Sequence, residues 1–286
     1  MVKQSYQMFL PEKRTTSVVF ASPHSGRNYP WSFLRKTVLD ERVIRSSEDA
    51  FVDLLFADVP KFGAPLICAT TPRAFTDMNR NSDELDPSVI EGIARNAHNP
   101  RIASGLGVIP RVVANGRAIY RGKITKSEAE ARIRQHWLPY HKALQKLLDE
   151  SHGLFGKAIL VDCHSMPHEA ISSVSPVGRL RSDIVLGDRY GAAANSNIID
   201  RIEAAFVHAG LRVIRNTPFA GAFITQHYGR PSRNQHAVQI EIDRSLYMNE
   251  QMIRPNGNFR SFKKLMGQVA KEIADIGDRG LSMAAE

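Results

Sequence analysis

Residues 158–167 read AILVDCHSMP. An uninterrupted aliphatic run marks a strand buried on both faces, and Pro167 ends it after Asp162, Cys163 and His164. Residues 18–26, VVFASPHSG, have the same form: a buried run that also ends in a His-Ser pair. Two such strands in one parallel sheet bring His24 and His164 to the same edge, where open α/β sheets bind ligands. On this reading the two histidines hold a metal ion. Strand alternation turns Asp162 and His164 to one side and Cys163 to the other, so Cys163 is read as packing rather than as a nucleophile.

Further strands are expected at 17–21, 65–70 (PLICAT), 182–187 (SDIVLG), 211–215 and 237–244 (AVQIEIDR). In the last, Val238, Ile240 and Ile242 point one way and Gln239, Glu241 and Asp243 the other. A carboxylate row on an interior strand is unusual, and from the residues alone Glu241 reads as half of a buried ion pair. The passage after 65–70, TPRAFTDMNRNSDELDP, gathers Arg73, Asp77, Asn79 and Arg80. It reads equally as an exposed ion-pair loop or as a carboxylate-binding one, since arginine forks grip carboxylates with two hydrogen bonds.

Ser46 or Ser47 is expected to cap a helix whose apolar stripe is Phe51, Val52, Leu55, Phe56 and Val59. Glu48 and Asp49 would lie in its first turn, stabilising the helix dipole by roughly 0.3–1 kcal/mol each. The alternative makes one of them a metal ligand; spacing alone favours the dipole. Thr125 and Glu128 have capping-box spacing ahead of a helix bearing Ala129, Ile133, Trp137, Leu144, Leu147 and Leu148, which Pro139 should kink or divide. His136 and His141 are five residues apart and share no helical face, so with His152 they read as structural or exposed. Residues 93–124 suggest a hairpin or lid turning at Asn115-Gly116. Helices over 196–209 and 258–277 complete the chain.

The 286 residues suffice for one large α/β domain or two small ones, and the expectation is a single domain over 1–286. Hydrophobic residues at 43% and charged ones at 23% exclude an extensively disordered chain. Apolar runs are strand-sized and the N-terminus lacks a secretory core, so a soluble cytoplasmic protein without membrane contact is expected. Cys68 and Cys163 are too few for a disulfide framework and are expected reduced and buried. The net charge of +9 comes from scattered residues, with no run of five and no nucleic-acid module. It suits a small acidic substrate, or no specific partner, better than nucleic acid, which stays a minor alternative. Nothing in the sequence specifies an oligomeric state.

PHSG, EDAFVD, the DMNR loop, WLPYHKAL, VDCHSMP and TQHYGRP…VQIEIDRSLYMNE occur in this order from about residue 20 to 250. Together they resemble the N-formylglutamate amidohydrolase family. The resemblance implies a zinc-carboxypeptidase-like, three-layer α/β/α fold on a twisted, mixed, mostly parallel sheet. It also implies removal of formate from N-formyl-L-glutamate, a late step of histidine breakdown, with Zn2+ or another divalent metal. In carboxypeptidases a glutamate ligand follows the first histidine by three residues; here that position is Arg27, and aligning DAFVDLLF with the family puts the acidic ligand at Asp49, with Glu48 as runner-up. The implied roles are metal ligation by His24, Asp49 and His164, general-base catalysis by Glu241, and orientation of a ligating imidazole by Asp162. Substrate carboxylates would fall to Arg73, Asn79 and Arg80, with Arg230 and Arg233 as further candidates and His227 at substrate or oxyanion. Two other readings stand beside this one: a related zinc hydrolase for another N-acyl amino acid or small peptide, and a non-enzymatic binding protein on the same fold. A serine hydrolase is disfavoured, because neither Ser25 nor Ser165 sits in a G-x-S-x-G elbow.

Overall fold

The computed structural model describes residues 4–94, 99–172 and 181–278. Its centre is a seven-stranded mixed sheet in a three-layer α/β arrangement. The strands are β1 (Tyr6–Phe9), β2 (Val18–Ser22), β3 (Leu66–Ala69), β4 (Ala158–Met166), β5 (Ile184–Gly187), β6 (Val213–Arg215) and β7 (Gln235–Asp243). Their order across the sheet is β1-β3-β2-β4-β7-β5-β6. β4 runs parallel to both β2 and β7, and β5 is parallel to β6 but antiparallel to β7. β4 is buried at all nine positions, as an aliphatic run flanked by strands on both sides demands. Cys68 and Cys163 are buried and not joined in a disulfide.

Backbone contacts divide the chain into two compact units. The first comprises Met1–Gln7, Pro23–Ala50 and Cys68–Ala143. Its core packs Phe33, Ile44, Phe75 and Ile119, with Tyr29 and Tyr120 half-buried against them. The second comprises Met8–Ser22, Phe51–Ile67 and Leu144–Glu286 and holds most of the sheet. Among the described residues no helix is long and apolar enough to cross a membrane.

The helix expected from Ser46 onward does not form as one piece. α1 (Glu41–Ile44) is capped by Asp40, whose side chain accepts from Val43 N. The chain then leaves helical geometry until α2 (Val52–Leu55), and Phe51 before it takes a left-handed φ of 69°. Glu48 and Asp49 therefore do not lie in a helical first turn. The segment is pinned instead by Asp49 N donating to the His24 carbonyl at 3.1 Å and Glu48 N donating to the Arg45 carbonyl at 2.9 Å. Those two bonds replace the helical ladder the apolar stripe suggested.

α3 (Lys126–Arg132) begins as expected, with Thr125 accepting from Glu128 N, and α4 spans Leu138–Phe155. Pro139 offers no N–H to the carbonyl four residues back, and its ring crowds that carbonyl. The helix absorbs this by widening to a π-turn over Ile133–Trp137. α5 (Ser196–His208), α6 (Phe223–Tyr228) and α7 (Phe259–Asp275) follow. Of the stretch 93–124, residues 95–98 lie outside the described residues. Its turn has Asn115 and Gly116 at φ 59° and 67°, with Val112 bridged antiparallel to Ala118. Positive φ at two successive positions is what an Asn-Gly hairpin turn uses.

Candidate metal centre

His24 stands two residues beyond β2, and its loop approaches the chain after β3 without room for a side chain. A Cβ on Gly26 would fall 2.2 Å from the Thr71 carbonyl oxygen, and Asn28 N donates to Thr70 O at 2.9 Å. Gly26→Ala must therefore push two backbone segments apart. We expect it to lower stability by about 1–3 kcal/mol, as overpacking does, and to reduce metal binding; chemical denaturation and metal titration of the variant check both. Wild-type values for both would show that the close approach does not set His24.

Within the first unit the imidazole of His24 has a carboxylate beside each nitrogen. Its Nε2 lies 2.7 Å from Asp77 Oδ1, and its Nδ1 lies 3.3 Å from Asp49 Oδ2. Asp77 Oδ1 also accepts from Asn79 N at 2.8 Å, and Oδ2 accepts from Arg73 Nη2 at 2.9 Å. Burial of Asp77 opposes its charge, but His24, Arg73 and Arg80 outweigh it and hold the carboxyl well below the ordinary carboxylate range. An ionised Asp77 can only accept, so Nε2 carries the ring proton and a neutral His24 has its lone pair on Nδ1.

The second unit repeats the device at the end of β4. His164 Nε2 lies 3.0 Å from Asp162 Oδ2, both residues buried. Placed two residues apart on one strand, they share a face as alternation requires. In the parallel pairing of β4 and β7, His164 is the register partner of Glu241 and Asp162 of Gln239. Gln239 Nε2 donates to Glu241 Oε1 at 2.9 Å. Ser165, beside His164, receives Arg244 Nε on its hydroxyl at 3.2 Å and Arg244 Nη2 on its carbonyl at 3.4 Å.

His24 and Asp49 of the first unit and His164 of the second are all buried. Two donors bound to one ion at ~2.0–2.2 Å, as zinc binds nitrogen and oxygen, sit about 3–4 Å apart, and His24 Nδ1 and Asp49 Oδ2 have that spacing at 3.3 Å. Each imidazole also rests its Nε2 on a carboxylate. That is the support that leaves a metal-binding histidine its other nitrogen as donor. Two neutral imidazoles and one carboxylate are the donor set of a catalytic zinc site. The chemistry of these residues, and the spacing of His24 and Asp49 within the first unit, fit a divalent cation.

The other expected site residues divide. Glu48, the runner-up carboxylate, is taken by Arg45 at 3.0 and 3.1 Å and by the Tyr29 hydroxyl at 2.7 Å. Arg73 pairs with Asp77 and sits 4.0 Å from Asp49 Oδ1. Arg80 is buried, spending Nε on the Leu106 carbonyl and Nη1 on its neighbour's carbonyl at Asn79. His227 is exposed on α6, stacked on Phe223 and edge-on to Tyr228, and Arg230 is exposed after it. Partial burial and then the charge of Arg230 lower the His227 pKa. His141 is buried against the Met78 carbonyl, and His152 reaches the Arg233 carbonyl. Asp77 and Gln239 carry no role in the sequence reading. Asp77 had one available signal: within the Arg73–Arg80 cluster it is the single carboxylate.

A sequence model of N-formylglutamate amidohydrolases matches residues 16–248. The N-formylglutamate deformylase of Pseudomonas aeruginosa is 30% identical over 239 residues, covering 82% of this chain and 83% of that protein. The N-formylglutamate deformylase of Pseudomonas putida is 28% identical over 236 residues, covering 82% of each. The crystal structure of an N-formylglutamate amidohydrolase from Ralstonia eutropha superposes with a TM-score of 0.90 at 33% identity, covering 96% of this chain and 99% of that one. A gene product of Agrobacterium tumefaciens shares the fold at a TM-score of 0.65 and 17% identity, over 96% of each chain.

Proposed function

The chain belongs to the N-formylglutamate amidohydrolase family, and we propose that it hydrolyses N-formyl-L-glutamate to formate and L-glutamate, using a divalent cation, zinc first, held by His24, Asp49 and His164. The observation that carries the metal dependence is the pair of buried imidazoles, each backed by a carboxylate, with Asp49 Oδ2 lying 3.3 Å from His24 Nδ1. When bound, the cation supplies Lewis acidity, polarising a carbonyl and lowering the pKa of water toward ~7.

The chain's own residues supply the rest. Glu241, on β7 next to His164 in register, takes the proton from the attacking water as that oxygen joins the formyl carbon. It returns a proton to the amide nitrogen as the C–N bond breaks, so formate and the free amine leave. Asp77 and Asp162 keep the two imidazoles turned and in one tautomer throughout. Asn79 and Arg80, with Arg73 beside them, bind substrate carboxylate, the Nη2 edge of Arg80 being the portion not spent on Leu106 and Asn79. His227 and Arg230, exposed on and after α6, bind the outer part of the substrate. A substrate of this class belongs at a late step of histidine breakdown.

A panel of N-formyl, N-acetyl and N-succinyl amino acids, run with and without chelator, tests the reading. The expected result is chelator-sensitive release of formate, fastest from N-formyl-L-glutamate. Preference for an N-acetyl or N-succinyl substrate would move the chain to the neighbouring activity, and inertness toward the whole panel would overturn the enzymatic reading. Arg80→Ala separates binding from chemistry: KM for acidic substrates should rise roughly 10- to 100-fold, the loss of a charged hydrogen-bonded contact, and KM for a neutral N-formyl amino acid much less. Equal increases for both would assign Arg80 to the fold alone.

A further inference from the structure

Glu241 is not the last polar residue on its face of β7. Gln239 shares that face two residues earlier, is 4% exposed, and uses both ends of its amide. Its Nε2 donates to Glu241 Oε1 at 2.9 Å, and its Oε1 accepts from Ala222 N at 3.1 Å. The orientation of the amide follows from chemistry: a backbone N–H can only donate, so the amide oxygen must face Ala222 and the NH2 must face Glu241.

The anchor at Ala222 is itself seated firmly. A Cβ on Gly187 of β5 would fall 2.7 Å from the Ala220 carbonyl carbon and from Gly221 N, so the loop rests directly on β5 backbone. Arg189 N donates to the Ala220 carbonyl at 2.8 Å and closes the same contact. Gly187 is also the register partner of Gln239 across β5 and β7. Loop, strand and amide thus form one chain of contacts ending on a single oxygen of Glu241.

Resting on the role of Glu241 as general base given above, we propose that Gln239 is a positioning residue: it holds Glu241 Oε1 and thereby sets the orientation in which the carboxylate meets water. A buried carboxylate that can turn about its last torsion spends part of its time misdirected, and the rate of proton transfer falls steeply with misplacement. Gln239 acts on the chemical step and leaves substrate affinity alone.

The test uses the metal-loaded enzyme with Gln239→Leu and Gln239→Met, the second keeping an unbranched side chain of similar length without a donor. The expected result is a kcat lower by roughly 10- to 100-fold, the loss of one hydrogen bond to a charged group, with KM within about threefold of wild type. Metal content and melting temperature should stay close to wild type, which separates this outcome from misfolding. In a Glu241→Ala background, Gln239→Leu should lower the residual rate no further, because the two residues act as one unit. Wild-type kcat in both Gln239 variants beside an inactive Glu241→Ala overturns the positioning role alone. An equal loss with and without the Glu241 side chain overturns it as well, since the effect would then be structural. Full turnover in Glu241→Ala would overturn the base assignment, and the role of Gln239 with it.

Discussion

Glu241→Gln should reduce kcat by roughly 10²–10⁴-fold, the range a positioned general base contributes, while leaving the metal content unchanged. The substitution is nearly isosteric and keeps the local hydrogen bond. Gln239 Nε2 now donates to a carboxylate oxygen, and it can donate as well to an amide oxygen at that place. That bond would fix the new amide with its NH2 at the position of Oε2, where a group with no lone pair to accept a proton would replace the base. The strand should not notice: β7 is paired on both sides at this point, with His164 on β4 and Val185 on β5 as register partners. Steady-state kinetics with elemental analysis of the same preparation decide it. A variant that keeps more than about a tenth of wild-type kcat, well above the loss expected for a base, would show that another group moves the proton.

The second large effect separates two adjacent carboxylates. Asp49→Ala removes one of the three proposed ligands and should weaken metal binding beyond the roughly 10- to 100-fold that loss of a supporting group alone produces. Glu48→Gln should keep the metal. Glu48 is as buried as Asp49, but its oxygens are committed to Arg45 and Tyr29. Its replacement costs stability instead, about 1–3 kcal/mol for a weakened buried charge-assisted pair. Metal affinity by chelator competition and unfolding free energy by denaturant titration, measured on both variants, should therefore cross over. Asp49→Ala falls on the first axis and Glu48→Gln on the second. Metal loss from Glu48→Gln with retention in Asp49→Ala would reverse the ligand assignment.

Much of this arrangement is legible in the residues. AILVDCHSM and QHAVQIEID are fully or almost fully buried strands, and runs of that kind leave a chain few options. Their parallel pairing sets His164 against Glu241 in register, and the residues do not specify it, because each strand carries a polar face. What the residues conceal depends on contacts distant in sequence. β1 (YQMF) is mostly exposed and shows no clean alternation, so periodicity has nothing to detect. The stripe from Phe51 to Val59 imitates a helix, but Asp49 bonded to the His24 carbonyl and the left-handed Phe51 break it. The passage 216–236, rich in Gly, Pro, Asn and Arg, offers no long periodic run, and α6 forms inside it from the short piece Phe223–Tyr228. Asp77 shows the same limit at the candidate centre. Within its loop it looks like one charge among several, and only folding brings it onto His24, fifty-three residues away.

The central claim is that hydrolysis depends on one cation held by His24, Asp49 and His164. Elemental analysis of the purified protein, with N-formyl-L-glutamate turnover measured before chelation, after chelation and after zinc is restored, tests it most directly. We predict one equivalent of divalent metal per chain, formate release that disappears with the metal, and recovery when it returns. Full turnover by protein stripped of every divalent ion would contradict the account.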